Sequence, residues 1–127
     1  MKSYTDLEQS KKLAEILPIE SADMWYCPFP NDADWYDEPN IGKAELLLNQ
    51  LPCWSLAALL SVLPTTIGNF FEKNALRIRM DKGENDFNIW YENFDCGDVA
   101  EGLDVKENNP VDACYDMIIK LNEQNIL

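Results

Sequence analysis

The strongest periodic signal lies in the middle of the chain. In PCWSLAALLSVLP the leucines at 56, 59, 60 and 63 recur at i, i+3, i+4 and i+7, which is one face of an α-helix. The pattern predicts a central helix over about 53–63, capped by Ser55 and stopped by Pro64, and makes it the most deeply buried helix of the chain. From Leu76 the period falls to two. Leu76, Ile78 and Met80 alternate with Arg77 and Arg79, a turn follows around Gly83, and Phe87, Ile89 and Tyr91 then alternate with Asn88 and Trp90. This is a hairpin over about 76–91 with one apolar face, its other face carrying two arginines and Trp90.

The flanks are read from caps and stops. Thr5 and Glu8 have the spacing of a capping box and predict a helix from about Asp6 to Leu17, with Leu13, Ile16 and Leu17 on one face and Pro18 ending it. Asp23 to Tyr26 reads as a short strand, and the proline-bracketed, acidic stretch from Pro28 to Gly42 as a long loop. Lys43 to Gln50 has helix-forming composition, yet its leucines also suit a strand, and periodicity does not choose between them. A third strand is expected near Val99 to Val105. In NPVDACYDMIIKLNEQN, Asn109 caps, Pro110 takes the first helical position, Asp112 meets the positive end of the helix dipole, and Val111, Cys114, Ile118 and Leu121 share a face. The expected fold class is α+β: a small antiparallel sheet packed against the central helix and a C-terminal helix over about 110–124, in a single domain spanning residues 1–127.

The segments SADMW, LPCWSLAALLSVLP and NPVDACYDMIIKLNEQ, in this order, are together similar to a group of small uncharacterised acidic proteins of gut bacteria and their prophages. The likeness spans about half of the chain. It implies a bacterial, phage-associated, cytoplasmic protein, and it transfers no activity and no functional residue.

Composition supports a folded chain: 46% of the 127 residues are hydrophobic and 26% charged. The opening MKSYTDLEQSKK has no apolar run of the kind a secretion signal needs, and the longest apolar stretch, Leu51 to Leu63, falls short of the roughly 20 residues that span a bilayer. Neither a leader nor a membrane partner is expected. The four cysteines form no CxxC pair and the chain holds no histidine, which argues against a zinc site, a redox dithiol and the usual base for a nucleophile. Buried, reduced thiols are expected, Cys114 among them, and no cofactor. Charge is the outlier. The net value is −13, and from Glu84 to Asp116 ten carboxylates face Lys106 as the single base. Such a surface repels nucleic acid and anionic lipid and attracts basic proteins and divalent cations.

Two constellations carry candidate chemistry. Asp32, Asp34, Asp37 and Glu38 offer oxygen ligands to a hard cation, although the loop lacks the glycine and terminal glutamate of an EF-hand. Trp35, Tyr36 and Trp90, with Asp95 and Asp98, offer aromatic anchors and charge for a partner surface. Two function classes follow: an accessory protein that binds a basic protein partner, and a small metal-dependent hydrolase on the loop carboxylates. Beneath both stands acidity that serves solubility alone. No residue is nominated as catalytic, and neither partner identity nor oligomeric state is written in the pattern.

Overall fold

A buried threonine, and not the helix cap that its spacing suggests, precedes α1 (Leu7–Ala14). In the computed structural model, which describes residues 2–30, 34–68 and 75–127, the capping box lies one residue further on. Asp6 accepts from the Gln9 N–H at 2.8 Å and the Gln9 side chain accepts from the Asp6 N–H at 3.1 Å. Thr5 is drawn inward because Trp54 needs a partner: the Trp54 N–H donates to Thr5 Oγ1 at 3.1 Å and the Thr5 N–H donates to the Trp54 carbonyl at 3.0 Å. An unpaired buried amide would cost more than a weaker cap. The helix also ends earlier than Leu17. Ile16 and Leu17 both donate to the Leu13 carbonyl in a tightened last turn, and Leu17 is still buried.

The chain divides into two compact units, Met1–Val62 and Leu63–Leu127. In the first, β1 (Met24–Tyr26) is the middle strand of an antiparallel three-stranded sheet, flanked by β2 (Asn40–Ile41) and β3 (Leu51–Cys53). Pro52 is tolerated in β3 because the strand lies at the sheet edge, where a missing N–H breaks no ladder bond. Tyr26, Leu51 and Cys53 form a buried cluster, with Tyr4, Leu7, Met24 and Trp35 packed against it. The ambiguous segment before β3 is neither helix nor strand but a 3-10 turn, Leu46–Leu48, with Leu47 97% exposed.

Ser55 caps α2 (Leu56–Val62) as its position suggests, accepting from the Ala58 N–H at 3.2 Å. It is held in turn by Asp23, which accepts from both the Ser55 N–H and the Ser55 hydroxyl. The expectation that this helix is the most deeply buried fails. Only Ala58 and Leu59 of α2 are buried, and Leu60 is 39% exposed. Within its unit this two-turn helix rests on a 3-10 turn, Ile19–Ser21, which is too small a neighbour to cover a whole leucine stripe.

The second unit follows the sequence pattern closely. Its antiparallel sheet has the order β4 (Thr66–Ile67), β5 (Leu76–Lys82), β6 (Phe87–Asn93), β7 (Val99–Glu107). Met80 faces Ile89 and Ile78 faces Tyr91 on one side; Arg79 faces Trp90 on the other. Helix α3 (Pro110–Glu123) is capped by Asn109, whose side chain accepts from the Asp112 N–H at 2.9 Å. It packs on β6 and β7, burying Val111, Ala113, Cys114, Met117, Ile118 and Leu121 in one layer with Ile89, Tyr91, Leu103 and Val105. Burial of each large apolar side chain contributes about 1.5–3 kcal/mol, so this interface dominates the unit's stability. The architecture is α+β, with the antiparallel sheet packed on the C-terminal helix. Among the described residues no helix is long and apolar enough to cross a membrane.

Candidate functional site

The face of the four-stranded sheet opposite to α3 is polar and organised around two residues of β6. Glu92 is the first. Its carboxylate, 12% exposed, receives Arg77 Nη2 at 3.5 Å and Arg79 Nε at 3.2 Å. A nearly buried carboxylate is tolerated because two guanidinium groups offset its lost hydration. Arg77 also lies over the Phe94 ring, 5.6 Å from its centroid. Trp90 is the second, half-buried between Arg79 on β5 and Asp104 on β7. Beside it runs an open groove of about 280 Å³, lined by Asn88, Trp90, Val99, Asp104 and Lys106 among others. The pairing of β6 with β7 shifts register between Trp90 and Glu92, and Gly102 supplies the positive φ of +77° there. A non-glycine residue would be strained at this point.

Along the β6–β7 turn and β7 the acids outnumber their partners, and Asp104 among them lines the groove. Asp95, Asp98, Glu101 and Asp104 are all exposed, along the β6–β7 turn and β7, and none has an ion-pair partner among the described residues. The cations of the same sheet face are already engaged, Arg77 and Arg79 by Glu92 and Lys106 by Asp86 at 3.3 Å. Of the expected binding residues, the second unit thus holds Trp90, Asp95 and Asp98, with Trp90 lining the groove and the two aspartates exposed on the adjoining turn.

Trp35 and Tyr36 belong to the first unit. Trp35 bridges back to Pro28, takes the Lys11 ammonium over its ring at 5.2 Å, and packs on the Tyr26 cluster. Its indole N–H is buried with no hydrogen-bond partner among the described residues. Tyr36 is 50% exposed and meets Phe29 edge-on at 4.5 Å. The larger part of Trp35 thus serves packing.

Of the expected metal ligands, Asp32 lies outside the described residues. Asp34, Asp37 and Glu38 are exposed. Asp34 is occupied locally, its carboxylate accepting from the Trp35 N–H at 2.8 Å, and Asp37 lines an open cleft of about 530 Å³ with Lys2, Tyr4, Asp6, Glu8 and Tyr26. Among the described residues no three Asp, Glu, Cys or His side chains are grouped as metal ligands would be.

One titratable feature stands outside every motif of the sequence. Asp116 on α3 is half-buried and hydrogen-bonds the carboxyl of Glu107 at the end of β7, and its pKa is pushed from 3.8 up to about 7. Burial is the largest cause, followed by Glu107 and then by repulsion from Asp112, with Lys120 opposing. The spacing of Asp112 and Asp116, like charges one turn apart on a helix, is the signal that points to it. Neither Asp116 nor Glu107 lines the grooves described above.

The thiols divide by position. Cys53 and Cys114 are buried, Cys27 is half-buried, and Cys96 is exposed, so the expectation of uniformly buried thiols holds for two of the four. Burial pushes the Cys114 thiol up to about 12 and the Cys53 thiol upward as well, which makes both poor nucleophiles at neutral pH.

No family model, curated protein or solved structure matches the chain.

Proposed function

We propose that this protein is a non-enzymatic, cytoplasmic accessory protein of phage or mobile-element origin that binds a basic protein partner through the acidic rim of its second sheet. The supporting observation is the set of four exposed carboxylates, Asp95, Asp98, Glu101 and Asp104, that lack counter-ions among the described residues while the cations of the adjoining face are engaged elsewhere. Their field attracts lysine and arginine side chains and speeds encounter with a basic surface. Trp90, across from Asp104 in the same groove, supplies a flat aromatic face on which a cation can stack.

The test compares location with mere charge. A nonalysine peptide is titrated by calorimetry against the protein, against the variant Asp95→Asn, Asp98→Asn, Glu101→Gln, Asp104→Asn, and against a control with Glu20→Gln, Asp37→Asn, Glu38→Gln and Glu45→Gln in the first unit. At low salt the first variant is expected to lose about tenfold or more in affinity and the control about twofold or less, with wild-type binding weakening as salt rises. Equal losses in the two variants would mean that the acidity serves solubility, and would end this reading.

A further inference from the structure

Strand β7 ends the four-stranded sheet on one side, and the hydrogen-bonding groups on its outer side are left over. In an antiparallel ladder each residue turns both N–H and C=O to the same side, and the side alternates along the strand. Gly83 donates to the Asp86 carbonyl at 2.9 Å, so odd-numbered residues of β5 bond toward β6 and their even-numbered partners on β6 bond back. The bonds from Ile78 N–H to the Thr65 carbonyl and from Phe94 N–H to the Ala75 carbonyl fall on the same alternation. Phe87 and Ile89 are left to face β7, where their partners are Glu107 and Val105. Asp104 and Lys106 therefore point their N–H and C=O away from the sheet, and β7 is the terminal strand. Both residues are exposed, and both side chains lie on the outer face beside Trp90.

We infer that this edge accepts an extended, lysine- or arginine-bearing segment of a partner protein as a fifth strand, with a basic side chain opposite Asp104. The inference rests on the reading given under Proposed function and adds the mode of binding. The outward-pointing backbone groups of Asp104 and Lys106 supply the main-chain bonds, and strand addition at a terminal strand is a recurrent way of binding a peptide. Charge selects the occupant. A side chain directly across from Asp104 on an added strand stands within about 5.5 Å of it, where opposite charges attract and like charges repel. Glu101 and Asp104 are exposed on the same strand, and Lys106 is already paired with Asp86. A second copy paired antiparallel about Asp104 would set Asp104 against Asp104 and Glu101 against Glu107, and like charges of this kind discourage self-pairing at natural edges.

The test uses three seven-residue peptides in calorimetry with the full chain: one alternating threonine and lysine, the same peptide N-methylated at every lysine, and one with glutamate in place of lysine. N-methylation removes the strand-forming amides and keeps the charge. The expected result is saturable binding of the first peptide, at least about tenfold weaker binding of the second, and none of the third. A ¹³C-labelled carbonyl in the bound first peptide should show the amide I shift of a β-strand. If the methylated peptide binds as well as its parent, strand addition is wrong while the acidic-surface reading stands. If neither basic peptide binds a chain that sediments as a monomer, both fall together. A chain that sediments as a dimer blocked to all three peptides would assign the edge to a second copy and overturn the inference.

Discussion

At the scale of single residues, a few polar side chains gain meaning only from what surrounds them. Thr5, Ser10 and Cys53 are buried together, with the Thr5 and Ser10 hydroxyls 2.8 Å apart and the Tyr26 hydroxyl donating to the Thr5 carbonyl at 2.7 Å. Nothing in MKSYTDLEQS distinguishes this threonine from a helix cap, because its true partner, Trp54, lies 49 positions away. Asp116 is the other case, and its sign is definite. Folding raises its pKa, so the stability tied to its protonated form is full below about 3.8 and is lost as pH rises through about 7. The groups that face it are Glu107 from β7 and Asp112 and Lys120 from α3. Asp116→Asn should therefore match the wild type at pH 4 and exceed it at pH 8 by on the order of 1 kcal/mol. This is well below the full linkage value because solvent screens a half-exposed carboxyl. Urea midpoints measured at both pH values would check it; parallel pH profiles for the two proteins would show that the carboxyl pair does not form.

At the scale of elements, the second unit was legible and the first was only partly so. The two-residue period of β5 and β6, and the Asn109–Pro110 start of α3, are local signals, and local hydrogen bonds carry them out. Helix α3 depends on that start. Asn109→Ala removes the acceptor for the Asp112 N–H and should cost about 0.5–2 kcal/mol, seen as a lower urea midpoint with an unchanged slope. No change would mean that the packed face of α3 holds its first turn without the cap. Helix α2 shows the reverse relation. Its leucine stripe is as regular as the face of α3, yet it buries two residues where α3 buries six. Periodicity specifies a face, and the neighbour decides how much of that face is covered.

At the scale of the whole molecule, net charge sets the behaviour. With −13 distributed over 127 residues, the folded chain holds its carboxylates closer together than the unfolded chain does. Raising sodium chloride from 10 mM to 200 mM should therefore raise stability by on the order of 1 kcal/mol, because the screening length shrinks from about 30 Å to under 10 Å. Denaturation followed at both salt concentrations would check this. A fall in stability with salt would mean that the surface ion pairs, such as Lys2 with Asp6 and Lys106 with Asp86, outweigh the repulsion.

The amino-acid order alone determined the α+β class, the hairpin, the C-terminal helix with its cap, and the acidic excess between residues 84 and 116, because each depends on neighbours within a few positions. Only the tertiary structure decided which acids stand free and which are neutralised. Glu92 and Asp104 look alike in the sequence, but one is nearly enclosed by two arginines fifteen and thirteen positions away, and the other stands at an open strand edge. Coulomb attraction and burial act through space, and the chain folds residues distant in sequence to within a few ångströms of one another.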